Sequence, residues 1–491
     1  MSKSGNSKRL FEDKAPGNGV EHGHVADKRP RMSAAAASNK VFQLKPIVQH
    51  GHKRTNDEVH SDIHLCPVAA AFIDTPQFQR LRSIKQLGAS EHVYMNTNHN
   101  RFEHSLGVYW LAERMARRIH KLQPQLGCTE KDILCIRLAG LLHDIGHGPF
   151  SHIYDGEFVG TMFPRFVKAH PHVLEKYKHL PTLPDNWCHE SCSLMMIDAL
   201  LEHLGLQIDL ENLDKPLKQI GDGIDALTVR VFDNSIPDDK DAILTSRDMI
   251  FVKECIWGEP IPELQAALQV HGFVGRPAPE KEWLYSIVSN HHSGLDVDKI
   301  DYFARDERRA KNASGQIDNR VIQEAFVTWG SCPNPADCFR CKHCISPEQH
   351  LMICYPEKMV KSAMSFFKKR SELHSEIYKH QVTAGATYLL CDILCHADPY
   401  FRIPVTSSGF TAKAKLEYDA LPISRAMLDP SAFLQLKDSI IDVISYSQDP
   451  NLVEAQELIK RWQGTSIASI RDTITYTLFS HSLIRFATTS L

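Results

Sequence analysis

Apolar residues recur at helical spacing through most of the chain, and the strict alternation of a half-buried strand is scarce. Apolar content rises from Val41. Thr75-Pro76 reads as a helix start, a capping hydroxyl followed by proline at the first helical position. Phe78, Leu81 and Ile84 continue one face, and Gly88 supplies a stop. A second helix is predicted from about His104 to Leu122, with Leu111, Met115 and Ile119 on one side. A third begins after Thr129, where Asp132 is placed as a capping-box partner. Leu134, Leu138, Leu141 and Leu142 carry it to His143-Asp144-Ile145-Gly146. Further helical patterns cover 189–204, 281–290, 358–397 and 432–462, and no internal repeat is found. The pattern predicts a mainly α fold with few short strands and one large central domain, residues 38–462. Residues 1–37 lack apolar periodicity and read as a disordered tail. Residues 331–347 carry Cys332, Cys338, Cys341 and Cys344 and read as a solvent-facing inserted loop, with a small zinc site as the sharper alternative. Residues 463–491 form a Ser/Thr-rich final segment.

Composition narrows the classes. The 491 residues carry a net charge of -3, with 43% hydrophobic and 23% charged residues. That balance argues against a protein that coats nucleic acid or membrane through bulk charge. No apolar run is long enough to cross a membrane, and the polar start Met1 to Arg9 lacks the core of a secretory signal. The 13 cysteines are sparse, so a reducing compartment and free thiols are expected. Lys28-Arg29-Pro30-Arg31 is a short basic cluster of the nuclear-import kind, or else a solvated charge run. The 27 histidines outnumber the 22 phenylalanines, which points toward metal or acid-base chemistry.

The histidines concentrate. His143, His147 and His152 fall within ten residues, interrupted by Gly146, Gly148 and Pro149. Three imidazoles at a buried helix end are costly unless they have partners. His104 opens the preceding helix and could supply a further ligand. Asp296 to Tyr302 is a carboxylate cluster that could close the shell. Two histidines and two carboxylates suit Fe, Mn, Zn or Ni without selecting strongly among them. His189-Glu190 is a candidate acid-base pair or a structural one. Arg101, Lys299, Arg370, Tyr302 and Tyr378 are available to hold a triphosphate and a nucleoside. No Walker loop, dinucleotide fingerprint or Gly-x-Ser-x-Gly elbow is present.

His104, His143-Asp144 and Asp298 resemble the H…HD…D signature of HD-domain metal phosphohydrolases. The segments Ile73 to Arg82, His99 to Gly107, His143 to His152 and Asp296 to Asp306 are similar to those of the SAM-and-HD-domain deoxynucleoside triphosphate triphosphohydrolase family, over about Lys40 to Arg461. The resemblance implies a helical HD-domain fold and hydrolysis of a dNTP at the α-phosphorus, giving deoxynucleoside and triphosphate. It implies a divalent metal (Fe, Mn, Zn or Mg) on His104, His143, Asp144 and Asp298. By the same resemblance His189 is the proton donor, His147 and His152 flank the α-phosphate, and Asp155 orients. Arg101, Lys299 and Arg370 match phosphate contacts, while Tyr302, Tyr378, Gln86 and Leu87 match the sugar pocket. Activation by GTP and dNTP between subunits is implied. Lys40, Val41, Asp74, Gln79 and Arg82 match the guanine-nucleotide site, where Asp74 could accept from guanine N1 and N2 donors. Arg320 and Lys358 match the second activator site.

There are departures. Gln381, Pro356 and Ser362 stand where the family has lysine, arginine and asparagine. Residues 51–62 read as a polar insertion, no SAM domain precedes the catalytic region, and the final segment diverges from the family's C-terminal lobe. Homodimer or homotetramer, weak single-stranded nucleic-acid binding, no membrane association, and a nuclear, also cytoplasmic, location complete the expectations. Two other readings stand beside this one: a different HD nucleotide phosphohydrolase or phosphodiesterase, and a non-catalytic nucleotide or nucleic-acid scaffold.

Overall fold

The structure, a computed structural model, describes residues 53–183, 187–220, 243–313, 318–331, 349–406 and 418–464. The tail with its basic cluster, Lys40, Val41, the cysteines at 332–344 and residues 465–491 lie outside them. The described part is helical with four two-stranded antiparallel sheets.

Two helices form the centre. Arg101–Leu122 starts where the Asn100 side chain accepts the N–H of Phe102 and Glu103 at 3.1 and 3.3 Å. Glu130–Leu142 starts on the expected capping box, Thr129 with Asp132. From Asp132 on the second helix is buried on every side, through Ile133, Ile136, Leu138 and Leu142, with Arg137 as the one charge beyond its first turn. Because it runs through the core, whatever follows Leu142 is delivered to the interior. Helices Ser246–Trp257 and Val297–Lys311 pack against this pair, and His189–His203 packs on Ser246–Trp257. The nine described cysteines are all free thiols, as expected.

Several predicted helices are broken. The one begun at Thr75 spans only Pro76–Gln79, tightens to a 3-10 turn over Arg80–Ser83, and opens at Ile84. Its backbone is recruited elsewhere: Arg101 N–H bonds Ile84 O, and Gln86 N–H bonds His99 O. The 281–290 pattern is a 3-10 segment, Pro279–Ser286. The 358–397 pattern splits into Val360–Leu373, a π turn at His374–Tyr378 and Gln381–Ala397. The 432–462 pattern becomes Pro430–Gln435, Ile440–Tyr446 and Val453–Gly464.

The supposed insertion is also structural. Lys53–Asp57 and Ser61–Leu65 form a hairpin. Its turn docks on the 297–311 helix through Asp57 to Arg305 at 2.8 Å, Glu58 to Arg309 at 2.6 Å and His60 to Asp301 at 2.5 Å.

Gly107 lets that helix approach. A Cβ there would lie 1.9 Å from Asp301 Oδ1 and 2.7 Å from Arg305 Nη2. Helix propensity alone would favour Gly107→Ala by about 1 kcal/mol. The close approach reverses the sign, so a loss of roughly 1–3 kcal/mol is expected. Urea unfolding checks it, and an unchanged or higher midpoint contradicts it.

Candidate active site

Three helix ends converge. His104 lies in the first turn of 101–122, His143-Asp144 follows the end of 130–142, and Asp298 lies in the first turn of 297–311. Asp296 caps the last of these through the Lys299 N–H at 3.0 Å. His104 Nε2 lies 3.2 Å from His143 Nε2, 2.9 Å from Asp298 Oδ1 and 3.4 Å from Asp144 Oδ2. His143 Nε2 lies 3.3 Å from Asp144 Oδ1 and 3.4 Å from Asp298 Oδ1.

The outer nitrogens explain this crowding. His104 Nδ1 is 2.7 Å from Asp301 Oδ2, and His143 Nδ1 is 2.8 Å from Gly140 O. With each Nδ1–H committed as a donor, both Nε2 atoms present lone pairs to one another and to two carboxylates. Such like-with-like convergence suits a cation. Burial disfavours the Asp298 carboxylate, but bonds from His104 and His143 hold its pKa below the usual range. Burial likewise opposes ionisation of Asp144, and Arg101 and His143 outweigh it. Burial works against charge on His104, yet Asp298 and Asp301 favour it and raise its pKa, so the Nε2 position attracts positive charge, a proton or a metal ion in its place. Two imidazoles and two carboxylates fit a divalent metal.

A second cluster lies beside the first: His147, His152, Asp155 and His189. Its geometry is that of a proton site. The rings of His147 and His189 stack at 3.8 Å and 15°, so their in-plane lone pairs do not converge on one point. His189 Nδ1 is committed to Asp155 Oδ2 at 2.8 Å. Burial lowers the His189 pKa, and the Asp155 bond with the charges of Glu190 and Asp155 more than restores it, leaving it above the ordinary value. Burial, Arg101 and His189 hold His147 well below the ordinary value. The two rings are biased in opposite directions, His147 toward the neutral form and His189 toward the charged one.

Both clusters open on one cleft of about 640 Å³. Of the sequence candidates, Gln86, Leu87, Arg101, His143, Asp144, His147, His152, His189, Asp298, Lys299, Tyr302 and Tyr378 line it. Asp155 stands behind His189, and the exposed Arg370 acts on Lys299 and Tyr302 through its charge. Arg101 is already engaged, with Asp144 at 2.7 Å and Ser151 at 2.9 Å. Lys299 Nζ meets Asp296 at 2.7 Å. The Gln86 side-chain oxygen is buried with no hydrogen-bond partner. Tyr378 O–H donates to Asp306 at 2.5 Å, and His99 holds the other Asp306 oxygen at 2.8 Å.

Sequence reasoning gave no role to Asp306, His374 or Lys379, which line the cleft, and offered Asp301 only as one of the aspartates that could close the shell, not as the partner behind His104. Asp301 and Asp306 had a signal: they lie three and eight residues after Asp298, on the same face of one helix.

Of the activator candidates, Gln79 accepts from Arg82 at 2.8 Å, and Arg82 lies over the Phe102 ring at 3.5 Å. The lysine that meets Asp74 is Lys53 of the hairpin, at 3.3 Å. Arg320 and Lys358 line a second cleft of about 350 Å³ with Ser362, where each is paired, to Asp318 at 2.9 Å and Glu324 at 2.7 Å. Gln381 begins the 381–397 helix, and Pro356 precedes the turn at Glu357.

Residues 101–230 match the HD domain family. The chain is 34% identical over 438 residues to the deoxynucleoside triphosphate triphosphohydrolase SAMHD1 of Bos taurus, covering 89% of this chain and 62% of that protein. It is 34% identical over 409 residues to the Homo sapiens protein of the same name, 83% of this chain and 53% of that one. A Dictyostelium discoideum SAMHD1 homolog is 26% identical over 442 residues, 89% of this chain and 63% of the homolog. The chain thus spans little more than half the length of these relatives. Among the described residues no helix is long and apolar enough to cross a membrane.

Proposed function

The chain belongs to the HD-domain family that includes the SAMHD1 proteins, and from that membership we propose that it is a metal-dependent dNTP triphosphohydrolase. Water adds to the α-phosphorus, the bond from phosphorus to the sugar 5′-oxygen breaks, and deoxynucleoside and triphosphate leave. One observation carries this reading. His143, Asp144 and Asp298, with the buried His104 against them, and His189, backed by Asp155, meet at one cleft.

His104, His143, Asp144 and Asp298 would hold the metal. A divalent metal supplies Lewis-acid polarisation of a phosphate oxygen and an acidified water. His189, whose charged form Asp155 favours, gives its proton to the leaving 5′-oxygen, which would otherwise depart as an alkoxide. His147, kept neutral, stays free to bond the α-phosphate region without repelling His189. Lys299 and the mouth-side Arg370 balance the triphosphate charge. The unpaired Gln86 oxygen suits a sugar hydroxyl. Tyr378, fixed by Asp306, forms with Tyr302 the wall against which a ribose 2′-hydroxyl is excluded.

The reading extends to regulation. A guanine nucleotide is bound by Asp74, Gln79 and Arg82, with Lys53 beside them, and a second nucleotide by Arg320 and Lys358. These sites act between copies in a dimer or tetramer. Import through Lys28 to Arg31 would place the protein in the nucleus.

The test incubates purified chain with Mn or Mg, GTP and each dNTP. Equal amounts of free deoxynucleoside and tripolyphosphate are expected. Pyrophosphate or monophosphate as the product sinks the reading.

A further inference from the structure

The turn between His147 and His152 holds an unusual backbone. Phe150 and Ser151 both have left-handed φ, 59° and 58°, and neither is glycine. A left-handed φ crowds the Cβ of a non-glycine residue against its own backbone and persists only where its surroundings hold it. The holding group comes from far along the chain. Asp438 Oδ1 accepts the Phe150 N–H at 2.7 Å, and its Oδ2 accepts the Lys85 N–H at 2.9 Å. Asp438 itself lies in the break between the Pro430–Gln435 and Ile440–Tyr446 helices. Its own N–H donates to Ser83 O at 3.2 Å.

The other end of the Lys85 peptide is tied as well. Ser151 Oγ donates to Lys85 O at 2.6 Å and accepts from Arg101 Nε at 2.9 Å. Arg101 continues to Asp144 at 2.7 Å. One carboxylate therefore joins the segment entering Gln86-Leu87, the floor of the proposed sugar pocket, to the turn entering His152. Burial pushes the Asp438 carboxyl up to about 6, against the two backbone bonds and the charges of Lys85 and Arg80. A buried carboxylate kept at such a site has both oxygens in use.

We propose that Asp438 is a positioning residue of the reaction, setting the α-phosphate turn and the sugar-pocket floor relative to each other. The proposal rests on the triphosphohydrolase reading for its rate consequence but not for its structural one. Asp438→Asn keeps one acceptor and turns an NH2 toward the other backbone N–H, a donor against a donor. Metal content by atomic emission stays at the wild-type value, because none of the four donors bonds Asp438. Hydrogen exchange speeds up at the Lys85 and Phe150 amides. The rate loss falls on kcat, roughly 100-fold, since a misplacement of about 1 Å at reacting groups costs that much. Ser151→Ala, which cuts the opposite tie and leaves Asp438 untouched, slows kcat as well. The double variant loses less than the product of the two. Wild-type kcat in Asp438→Asn, unchanged exchange at both amides, or multiplicative losses overturns the proposal. If the wild-type chain releases no triphosphate, the functional reading fails, while the exchange result still decides the structural claim. Should Asp438→Asn not fold, unaltered kcat in Ser151→Ala alone overturns it.

Discussion

Replacing His143 with alanine abolishes metal binding and reduces turnover by more than about 10³-fold. Groups that merely orient a metal ligand are worth roughly 10–100-fold in affinity or activity, and a direct donor exceeds them. In His143→Ala the imidazole that faces His104 Nε2 at 3.2 Å is gone, and so is one of the two nitrogens meeting Asp298. The fold should survive, because the outer nitrogen of that ring bonds only the Gly140 carbonyl of its own helix. Atomic emission on the purified variant reads the metal, and deoxynucleoside release reads the rate. Turnover at the wild-type level rules out the proposed centre.

The second large effect separates proton transfer from metal binding. His189→Ala keeps its metal but loses roughly 10²–10⁴-fold in kcat, the range for a general acid. The pH profile carries the sign. A proton donor works below its pKa, and that of His189 is raised above its ordinary value of 6.5. Burial alone would lower it; the Asp155 bond and the charges of Glu190 and Asp155 outweigh burial. The rate therefore falls as pH rises through the raised value. Asp155→Asn removes the largest raising influence, so the alkaline limb of kcat moves to lower pH. The same linkage applies to folding: the stability this pair contributes is full below pH 6.5 and is lost above the raised folded-state value. A limb that stays in place or moves upward in Asp155→Asn removes His189 as the donor.

The features legible along the chain are those whose causes lie within a few residues. Thr129 and Asp132 cap a helix because each reaches the other's backbone N–H across one turn. The apolar run that follows must be buried, so the His143-Asp144 pair at its end is carried to the interior. The resemblance of the ordered motifs to the HD family singles out His104, Asp298 and His189 as candidates. Tertiary structure decided what depends on partners far away. The predicted 432–462 helix breaks where Asp438 is drawn to Phe150 and Lys85, at separations of 288 and 353 residues. The hairpin at 53–65 reads as a polar insertion until Asp57, Glu58 and His60 meet Arg305, Arg309 and Asp301. The opposite bias of His147 and His189 was equally illegible, since it comes mainly from burial, the Arg101 charge and the Asp155 bond, which reach them from other segments. Sequence by itself determined the candidate donors and the local scaffolds that carry them, because caps and periodicity act over one turn. Only the packed structure decided their tautomers, charges and anchors, because those come from electrostatics and hydrogen bonds between segments that meet in space alone.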